Sequence, residues 1–359
     1  MLTEKQVKEI REHLERAQNP LFFFDNDPDG LCSFLLLKRW IGRGKGVAVR
    51  SYPDLNSSYA RKISELNSDY IFILDKPFVS KEFLESVHEL NLPIVWIDHH
   101  DLSAGENIKD KVPKYVDYYN PVFNKSKSGE PVTALCYQIV SNVDKSKAKE
   151  DLWIAVVGCV SDWYVPEFYD KIKGDYPELY VPAKEAPDVL YGSDLGKIIR
   201  MLSFGLKDST TNVMSMIRFL SEARSPEDVL QENSKNKTLH KKFEQITKKY
   251  NKFLEKAKEI GKNSDKVLFF KYGGDSSMSS DLSNELKYIF KDKIIVVAYL
   301  KPGEGKANIS IRGEKVRDKI VKIIEALEGA SGGGHEEAVG ARIKIDDLDF
   351  FKEQIEKAF

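Results

Sequence analysis

Residues 21–33 read LFFFDNDPDGLCS, a short apolar run followed at once by three closely spaced aspartates. The same form recurs further along, where short apolar runs alternate with stretches of helical periodicity. The apolar runs are Leu21–Phe24, Gly46–Tyr52, Tyr70–Leu74 and Pro93–Ile97, and the helical stretches are Leu31–Trp40, Tyr59–Leu66 and Lys81–Leu90. Near-continuous apolar strands that alternate with helices are typical of a parallel sheet covered on both faces. The sequence therefore predicts an N-terminal α/β domain.

The remainder of the 359 residues divides into a helical part and a second α/β part. Strands are predicted again near the C-terminus, at Val267–Tyr272, Ile294–Leu300 and Ala307–Arg312. We therefore predict three segments: a parallel-sheet domain at residues 1–165, a helical connector at 166–264 and a smaller C-terminal α/β domain at 265–359.

A long helical stretch of the connector carries apolar residues at alternating intervals of four and three. They are Leu239, Phe243, Ile246, Tyr250, Phe253, Ala257 and Ile260. Such a seam must pack on another surface, because three exposed aromatic residues on one helix would make it prone to association. We expect packing inside the chain, with a subunit interface, and hence a homo-oligomer, as the alternative.

Composition excludes several classes of protein. Lys and Arg number 55 against 56 Asp and Glu, a net charge of −1, so a uniformly basic nucleic-acid coat is excluded. No apolar run approaches the ~20 residues of a membrane span, so we expect no membrane partner. The N-terminus lacks the apolar core of a signal peptide, and the three cysteines are scattered. We therefore expect a cytoplasmic protein with reduced thiols.

Acidic residues and histidines follow the predicted strands. Asp25, Asp27 and Asp29 follow the first, Asp75 follows the third, and Asp98, His99 and His100 follow the fourth, while Asp162 follows a helix. One such aspartate is more often a turn or helix-cap residue than a ligand. Together, however, these groups should meet at the carboxyl edge of the sheet and repel one another unless cations neutralise them. Carboxylates with imidazoles suit two Mn²⁺ or Mg²⁺ ions.

Two other motifs begin in the same way. Asp25, Asp27 and Asp29 open like a calcium-binding EF-hand loop, but the twelfth position is Leu36 instead of glutamate, and a strand precedes the loop. An apolar strand before Asp25-x-Asp27 also resembles the aspartyl-phosphate phosphatases. That interpretation leaves Asp75 and the pair His99-His100 unexplained.

The ordered set of motifs resembles the DHH phosphoesterase superfamily. The motifs are Asp27-x-Asp29-Gly30-x-x-Ser33, then Asp75, then Asp98-His99-His100, then Asp162. Residues 331–340, SGGGHEEAVG, resemble the GGGH signature of the DHHA1 substrate-binding domain, and Arg312 lies where that domain has an arginine after a strand. Among subfamilies, the chain most resembles the short archaeal RecJ-like nucleases, notably the Hef-associated nuclease group.

The resemblance implies a role for each motif residue. One metal ion would be held by Asp27 and Asp75, and the second by Asp29, Asp75, His99 and Asp162. His100 would contact the substrate phosphate, with Asp98 orienting the imidazoles. Many relatives have histidine at the position of Phe23, and here Asp25 or water would replace that ligand. Phe23 and Asp25 share strand parity, so a side chain at position 23 is expected to face the site.

The resemblance also implies a substrate site in the C-terminal domain. Its residues would be Arg312, Ser310, Gly332, Gly333, Gly334 and His335, which suit a backbone phosphate or a terminal nucleotide. From residue 232 to residue 266, eleven lysines stand against five acidic residues, which indicates either a solvated helix face or a contact surface for nucleic acid.

We therefore expect a metal-dependent exonuclease that acts on single-stranded DNA. The resemblance implies 3′→5′ polarity, a role in replication or repair, and a DNA helicase as partner. One alternative is a phosphodiesterase for nano-RNA, 3′-phosphoadenosine phosphate or a cyclic dinucleotide. Another is a catalytically degenerate replication scaffold, suggested by the phenylalanine at position 23.

Overall fold

The computed structural model describes residues 1–50, 55–100, 112–125, 127–274 and 277–359, with the side chain of His335 outside the described part. The chain divides into two compact units, Met1–Phe243 and Glu244–Phe359. The predicted fold class is confirmed, since the first unit contains a parallel sheet and many helices, and the second a smaller mixed sheet. No helix among the described residues is both long and apolar enough to cross a bilayer.

The sheet of the first unit has five described strands, all parallel to their neighbours, in the order β2-β1-β3-β4-β5. They are β1 (Pro20–Asp25), β2 (Lys45–Val49), β3 (Tyr70–Leu74), β4 (Ile94–Ile97) and β5 (Val116–Tyr119). The second strand was predicted to extend to Tyr52, and its residues 51 and 52 lie outside the described part. In this strand order, the carboxyl ends of β1, β3 and β4 are neighbours, as the predicted convergence of the acidic motifs requires.

Successive side chains of β1 and β3 point to opposite faces of this sheet, and both faces are buried. Phe22 and Phe72, which are paired across the two strands, stack at a ring-centroid distance of 5.0 Å in the core on one face. Phe23 and Ile73 lie in the core on the other face. The strands are apolar throughout because each face of the sheet is covered by a hydrophobic core.

Helices of the first unit cover the sheet and continue through the segment predicted as a connector. Their bounds are α1 (Glu4–Arg16), α2 (Pro28–Ile41), α3 (Arg61–Glu65), α4 (Lys81–Glu89), α5 (Val132–Val143), α6 (Lys145–Glu150), α7 (Leu152–Ser161), α8 (Ile172–Asp175), α9 (Ala186–Gly192), α10 (Asp194–Leu206), α11 (Thr210–Glu222) and α12 (Pro226–Leu230). The α2, α5 and α7 helices pack closely against one another. A Cβ at Gly158 of α7 would lie only 2.7 Å from the Cβ of Cys32 on α2, so this approach requires glycine. The three cysteines are free and buried, as predicted.

The long helix α13 (Lys237–Asn263) carries the predicted seam. In the first unit, Phe243 stacks on Phe204 with centroids 6.1 Å apart. In the second unit, Phe253 contacts Tyr272 at 4.8 Å. Packing inside the chain is therefore confirmed for these parts of the seam, whereas Ile260 near its end remains 41% exposed.

The second unit contains a five-stranded sheet in the order β6-β7-β8-β10-β9, with β6 and β7 parallel and the other pairs antiparallel. Its elements are β6 (Val267–Gly273), α14 (Ser279–Ile289), β7 (Ile294–Lys301), β8 (Lys306–Arg312), α15 (Arg317–Glu325), β9 (Ser331–His335), β10 (Ala338–Lys344) and α16 (Leu348–Ala358). The glycine run is thus strand β9, paired with β10. Close packing requires glycine at position 332, because a Cβ there would lie 2.6 Å from the carbonyl oxygen of Gly340.

Candidate metal centre

The turn between β1 and α2 positions the first two motif aspartates. Asp27 caps α2, with Oδ1 accepting a hydrogen bond from the Gly30 N–H at 2.9 Å. Position 30 needs glycine, because a Cβ there would lie 2.6 Å from the carbonyl oxygen of Asp25. The sequence Asp27-x-Asp29-Gly30 therefore builds a tight turn that places both carboxylates at the end of the strand.

Asp29 is bound to the first turn of α5. Its carboxylate, 2% exposed, accepts the backbone N–H groups of Val132 at 3.0 Å and Thr133 at 2.8 Å. The α5 helix has no side-chain cap of its own, so Asp29 satisfies donors that would otherwise be buried without partners. One side of this carboxylate is thereby fixed in position.

Asp75 follows β3 in a left-handed conformation, with φ of 58°, and is 3% exposed. Its backbone N–H donates to the carbonyl oxygen of Ile97 at 3.0 Å, and this hydrogen bond holds the residue beside the end of β4. Aspartate tolerates this backbone conformation better than most residues. The carboxylate is therefore held next to the histidines that follow β4.

The two histidines are oriented by partners on their Nδ1 atoms. His100 Nδ1 lies 2.8 Å from Asp98 Oδ1, and Asp98 is fully buried. His99 Nδ1 lies 3.4 Å from the carbonyl oxygen of Gly129, which can only accept, so Nδ1 carries the proton when this bond forms. The lone pair of His99 Nε2 then faces Asp75 Oδ1 at 3.4 Å and Asp162 Oδ2 at 3.7 Å.

Asp162 completes the cluster from the C-terminal end of α7. Its side chain is 41% exposed, which leaves the cluster open to solvent on this side. Burial and the charge of Asp29 raise the pKa of Asp162 from 3.8 to about 6, against the opposing effect of the two histidines. This carboxylate therefore titrates close to neutral pH.

Electrostatics indicate that the cluster suits cations. Burial, followed by repulsion from neighbouring aspartates, raises the pKa of Asp27 and of Asp75 well above the ordinary value. Burial would lower the pKa of His100, but its hydrogen bond to Asp98 and the charge of that residue raise it overall. Two sets of side chains have ligand atoms within 4.8 Å of one another and could each hold a metal ion: Asp75, His99 and His100; and Asp29, His99 and Asp162.

An imidazole lone pair directed at two carboxylate oxygens is unfavourable unless a cation lies between them. The donor set of oxygens and imidazole nitrogens fits Mn²⁺ or Mg²⁺, as expected from the sequence. The structure thus brings Asp27, Asp29, Asp75, His99, His100 and Asp162 to one edge of the sheet. Their roles as metal ligands stay a prediction.

Asp25 has a partner that the sequence analysis missed. Lys76 Nζ lies 2.8 Å from Asp25 Oδ1, and the lysine side chain is only 1% exposed. The backbone carbonyl of Lys76 accepts the indole N–H of Trp96 at 3.0 Å. The sequence offered one indication of this pair, which is that a lysine directly follows Asp75 at the end of a buried strand. Lysine is rarely buried unless it is paired with an acidic group.

Phe23 does not face the metal centre, contrary to our expectation from strand parity. It is fully buried in the core that contains Ile73, edge-on to Phe83 at 5.3 Å and to Tyr59 at 6.2 Å. Phe23 and Asp25 share a strand, but β1 ends at Asp25, so Asp27 belongs to the turn and its direction does not follow from strand parity.

The second unit brings together part of the predicted substrate site. Arg312, the last residue of β8, donates from Nε to Asn284 Oδ1 at 2.6 Å and from Nη2 to Ser280 Oγ at 3.1 Å. Ser310 Oγ donates to Ser279 Oγ at 3.0 Å. Three partners on α14, namely Ser279, Ser280 and Asn284, were not among the residues predicted from the sequence. Gly332, Gly333 and Gly334 lie on β9, two strands from Arg312, and the side chain of His335 lies outside the described residues.

A family model for the DHHA1 domain matches residues 264–359, the region that contains this second sheet. The C-terminal unit contains a DHHA1 domain. Among curated proteins, a search by sequence found no match.

Solved structures with the same fold cover the whole chain. RecJ from Thermus thermophilus, in complex with Mn²⁺, matches 99% of this chain with a TM-score of 0.66 and 15% identity. Because that match covers 54% of RecJ, the chain spans about half the length of that protein. An exonuclease RecJ bound to manganese matches 100% of this chain and 94% of its own, with a TM-score of 0.63 and 15% identity.

A third structure, the pGpG-specific phosphodiesterase PggH from Vibrio cholerae, matches 94% of this chain and 98% of its own, with a TM-score of 0.51 and 14% identity. The predicted resemblance is confirmed at the level of fold: residues 264–359 match the DHHA1 model, and the chain has a fold similar to that of RecJ.

Proposed function

We propose that the chain is a two-metal phosphodiesterase that degrades single-stranded DNA from its 3′ end in replication or repair. The observation that carries this proposal is the position of His99 Nε2, 3.4 Å from Asp75 Oδ1 and 3.7 Å from Asp162 Oδ2. In the neutral imidazole with Nδ1 protonated, Nε2 has no proton to donate to these carboxylates, and a divalent cation between them accounts for the arrangement.

Each residue of the cluster has a distinct task in this proposal. Asp27 and Asp75 hold one ion, while Asp29, Asp75, His99 and Asp162 hold the other, with Asp75 shared. When bound, the two ions supply Lewis-acid activation of water and of the scissile phosphate. His100 is aligned by Asp98 to donate a hydrogen bond from Nε2 to a phosphate oxygen. In the second unit, Arg312 and Ser310 bind a backbone phosphate, together with the glycines of β9 and His335.

Exposed lysines on α13 favour a polymer as substrate. Lys241, Lys248, Lys249, Lys252 and Lys256 all lie at the surface of this helix. A row of ammonium groups contacts the backbone of a nucleic acid without regard to sequence, and this contact weakens as salt rises. Cleavage of a long strand should therefore depend on ionic strength more steeply than cleavage of a dinucleotide.

The second candidate function is hydrolysis of a short nucleotide. The match to PggH, whose name states specificity for pGpG, extends over 98% of that chain and favours this alternative. A degenerate scaffold is less well supported, because the chain retains all five proposed ligands together with His100. The helicase partner and the homo-oligomer expected from the sequence stay predictions.

Digestion of end-labelled oligonucleotides distinguishes these functions. Single-stranded DNA and RNA of 5 and 30 nucleotides, labelled at either end, and pGpG would be incubated with the full chain and millimolar Mn²⁺. We expect progressive shortening of the 30-mer DNA from its 3′ end. Exclusive cleavage of the 5-mers or of pGpG would establish the second function, and no cleavage of any substrate would contradict both.

A further inference from the structure

Lys76 is a buried cation next to the metal centre, and neither of the proposed ion sites uses it. Its ammonium group contacts Asp25 at 2.8 Å and its side chain is 1% exposed, which places it among the largest fully buried side chains of the described residues. A charged group this deeply buried requires a paired counter-ion. Asp25 is that counter-ion.

Asp25 is close enough to influence the cluster. Its negative charge contributes to the raised pKa of Asp27 and, more weakly, to that of Asp75. Without Lys76 as its counter-ion, a carboxylate in this position would be attracted to a divalent ion held by Asp27 and Asp75. In the structure, however, one of its oxygens is already bound to an ammonium group that cannot accept a metal ion.

The backbone holds Lys76 in this position. The residue directly follows Asp75, whose N–H is bonded to Ile97, and its own carbonyl is bonded to the indole of Trp96, which is 4% exposed. Both flanking anchors belong to β4. The lysine therefore enters the cluster from the same turn that supplies the proposed bridging ligand.

We propose that Lys76 is a built-in counter-cation that keeps Asp25 out of the metal ligand set. This inference rests on the proposed function, since it concerns the same metal centre. The ion shared by Asp27 and Asp75 then has only two protein ligands and binds more weakly than the ion held by the set containing His99. Lys76 thereby makes the occupancy of the site formed by Asp27 and Asp75 more dependent on the concentration of divalent metal than that of the site containing His99.

Counting bound Mn²⁺ tests the role of Asp25. Electron paramagnetic resonance of free Mn²⁺ during a titration of the full chain gives the number of ions and their dissociation constants. Asp25→Asn, which keeps an oxygen acceptor for Lys76, should bind as many ions as the wild type, with constants within about threefold. Asp27→Asn, the matched control two residues away, should lose the weaker ion.

Removing the lysine should have the opposite effect. Lys76→Met frees the charge of Asp25, so the weaker Mn²⁺ site should tighten at least about tenfold, while the melting temperature in EDTA falls by about 5 °C or more. The double variant Asp25→Asn/Lys76→Met has neither charge. It should recover the wild-type melting temperature in EDTA within about 3 °C and keep the wild-type affinity for Mn²⁺.

Two results would overturn the inference. If Asp25→Asn loses an ion or weakens Mn²⁺ binding tenfold, Asp25 is a ligand and Lys76 does not restrain it. If Lys76→Met is folded and binds Mn²⁺ with unchanged constants, Lys76 has no influence on the metal centre. A wild-type chain that binds no Mn²⁺ would instead contradict the proposed function itself, and the inference with it.

Discussion

Asp29 and Thr133, 104 residues apart, are joined by two reciprocal hydrogen bonds. The Asp29 carboxylate accepts the Thr133 N–H at 2.8 Å, and the Thr133 hydroxyl donates to the Asp29 carbonyl oxygen at 2.9 Å. A candidate metal ligand is therefore also the N-terminal cap of α5. The side chain of Asp29 therefore serves both the proposed metal site and the stability of α5.

Asp29→Ala should therefore destabilise the protein even without metal. Two buried hydrogen bonds to a charged acceptor are lost, at about 1.5–3 kcal/mol each, so we expect a loss of about 3 kcal/mol or more in urea unfolding with EDTA present. Asp75→Asn is the control, because asparagine tolerates the left-handed backbone and removes a repelling charge. It should not lower stability in EDTA. Equal losses for both variants would show that Asp29 has no special capping role.

Stability should fall with rising pH in EDTA, and Mn²⁺ should offset this loss. The pKa of Asp162 is raised to about 6, and those of Asp27 and Asp75 are also raised, so the metal-free folded state holds protons that the unfolded state releases. The contribution of these carboxylates to stability in EDTA is then fully present below about pH 4 and is lost as pH rises, through about 6 for Asp162. Mn²⁺ competes with these protons, so its stabilising effect should grow over the same range.

Thermal unfolding between about pH 5 and pH 8, in EDTA and in millimolar Mn²⁺, checks this prediction. We expect the increase in melting temperature caused by Mn²⁺ to be small near pH 5 and full at about pH 7.5 or above. A saturating Mn²⁺ concentration a hundredfold above Kd corresponds to about 2.7 kcal/mol. An increase that is independent of pH would mean that these carboxylates are not the ligands.

Asp98→Asn should reduce cleavage while leaving metal binding largely intact. The Asp98 carboxylate orients His100 and raises its pKa, so its loss should lower the rate about 10- to 100-fold and shift the limb of the pH–rate profile that reports His100 to lower pH. Tyr118→Phe is the control, since its hydroxyl lies 3.5 Å from the same carboxylate and contributes less. A lower rate with no change in the pH profile would assign Asp98 a purely structural role.

Arg312→Ala should raise the KM for oligonucleotides about tenfold or more, with a smaller effect on kcat, because the variant loses a phosphate contact and keeps every acid–base group. Arg312→Lys should recover little, since lysine cannot reproduce the bonds of Nε to Asn284 and Nη2 to Ser280. Arg342→Ala, which removes a surface ion pair with Glu304 in the same unit, is the control. Equal KM values for all three variants would exclude Arg312 from the substrate site.

The sequence was sufficient to predict the parallel sheet and the meeting of aspartates and histidines at its edge. Apolar strands followed by aspartates and histidines are local patterns, and parallel pairing brings their ends together. The sequence could not show which partners those groups find. The bond between Asp29 and Thr133 and the burial of Lys76 beside Asp25 depend on contacts between distant segments.

One local prediction failed and one strand was not predicted, for a related reason. The direction of Phe23 could not be extrapolated because the strand ends at Asp25, before the motif does. The glycine run at 332–334 gave no sign of a strand, since glycine weakens strands, and only pairing with β10 defines β9. Tertiary pairing, which short patterns do not encode, determined both outcomes.

The most direct test of the metal-dependent phosphodiesterase is the initial rate of cleavage of a labelled 30-mer single-stranded DNA by the wild type and by Asp75→Asn in millimolar Mn²⁺. Asp75 is the proposed ligand of both ions, and its replacement leaves a residue that fits the same backbone. We predict Mn²⁺-dependent cleavage by the wild type, abolished by EDTA, and a loss on the order of a thousandfold in the folded variant. Wild-type cleavage in EDTA, or a variant rate within tenfold of the wild type, would contradict the account.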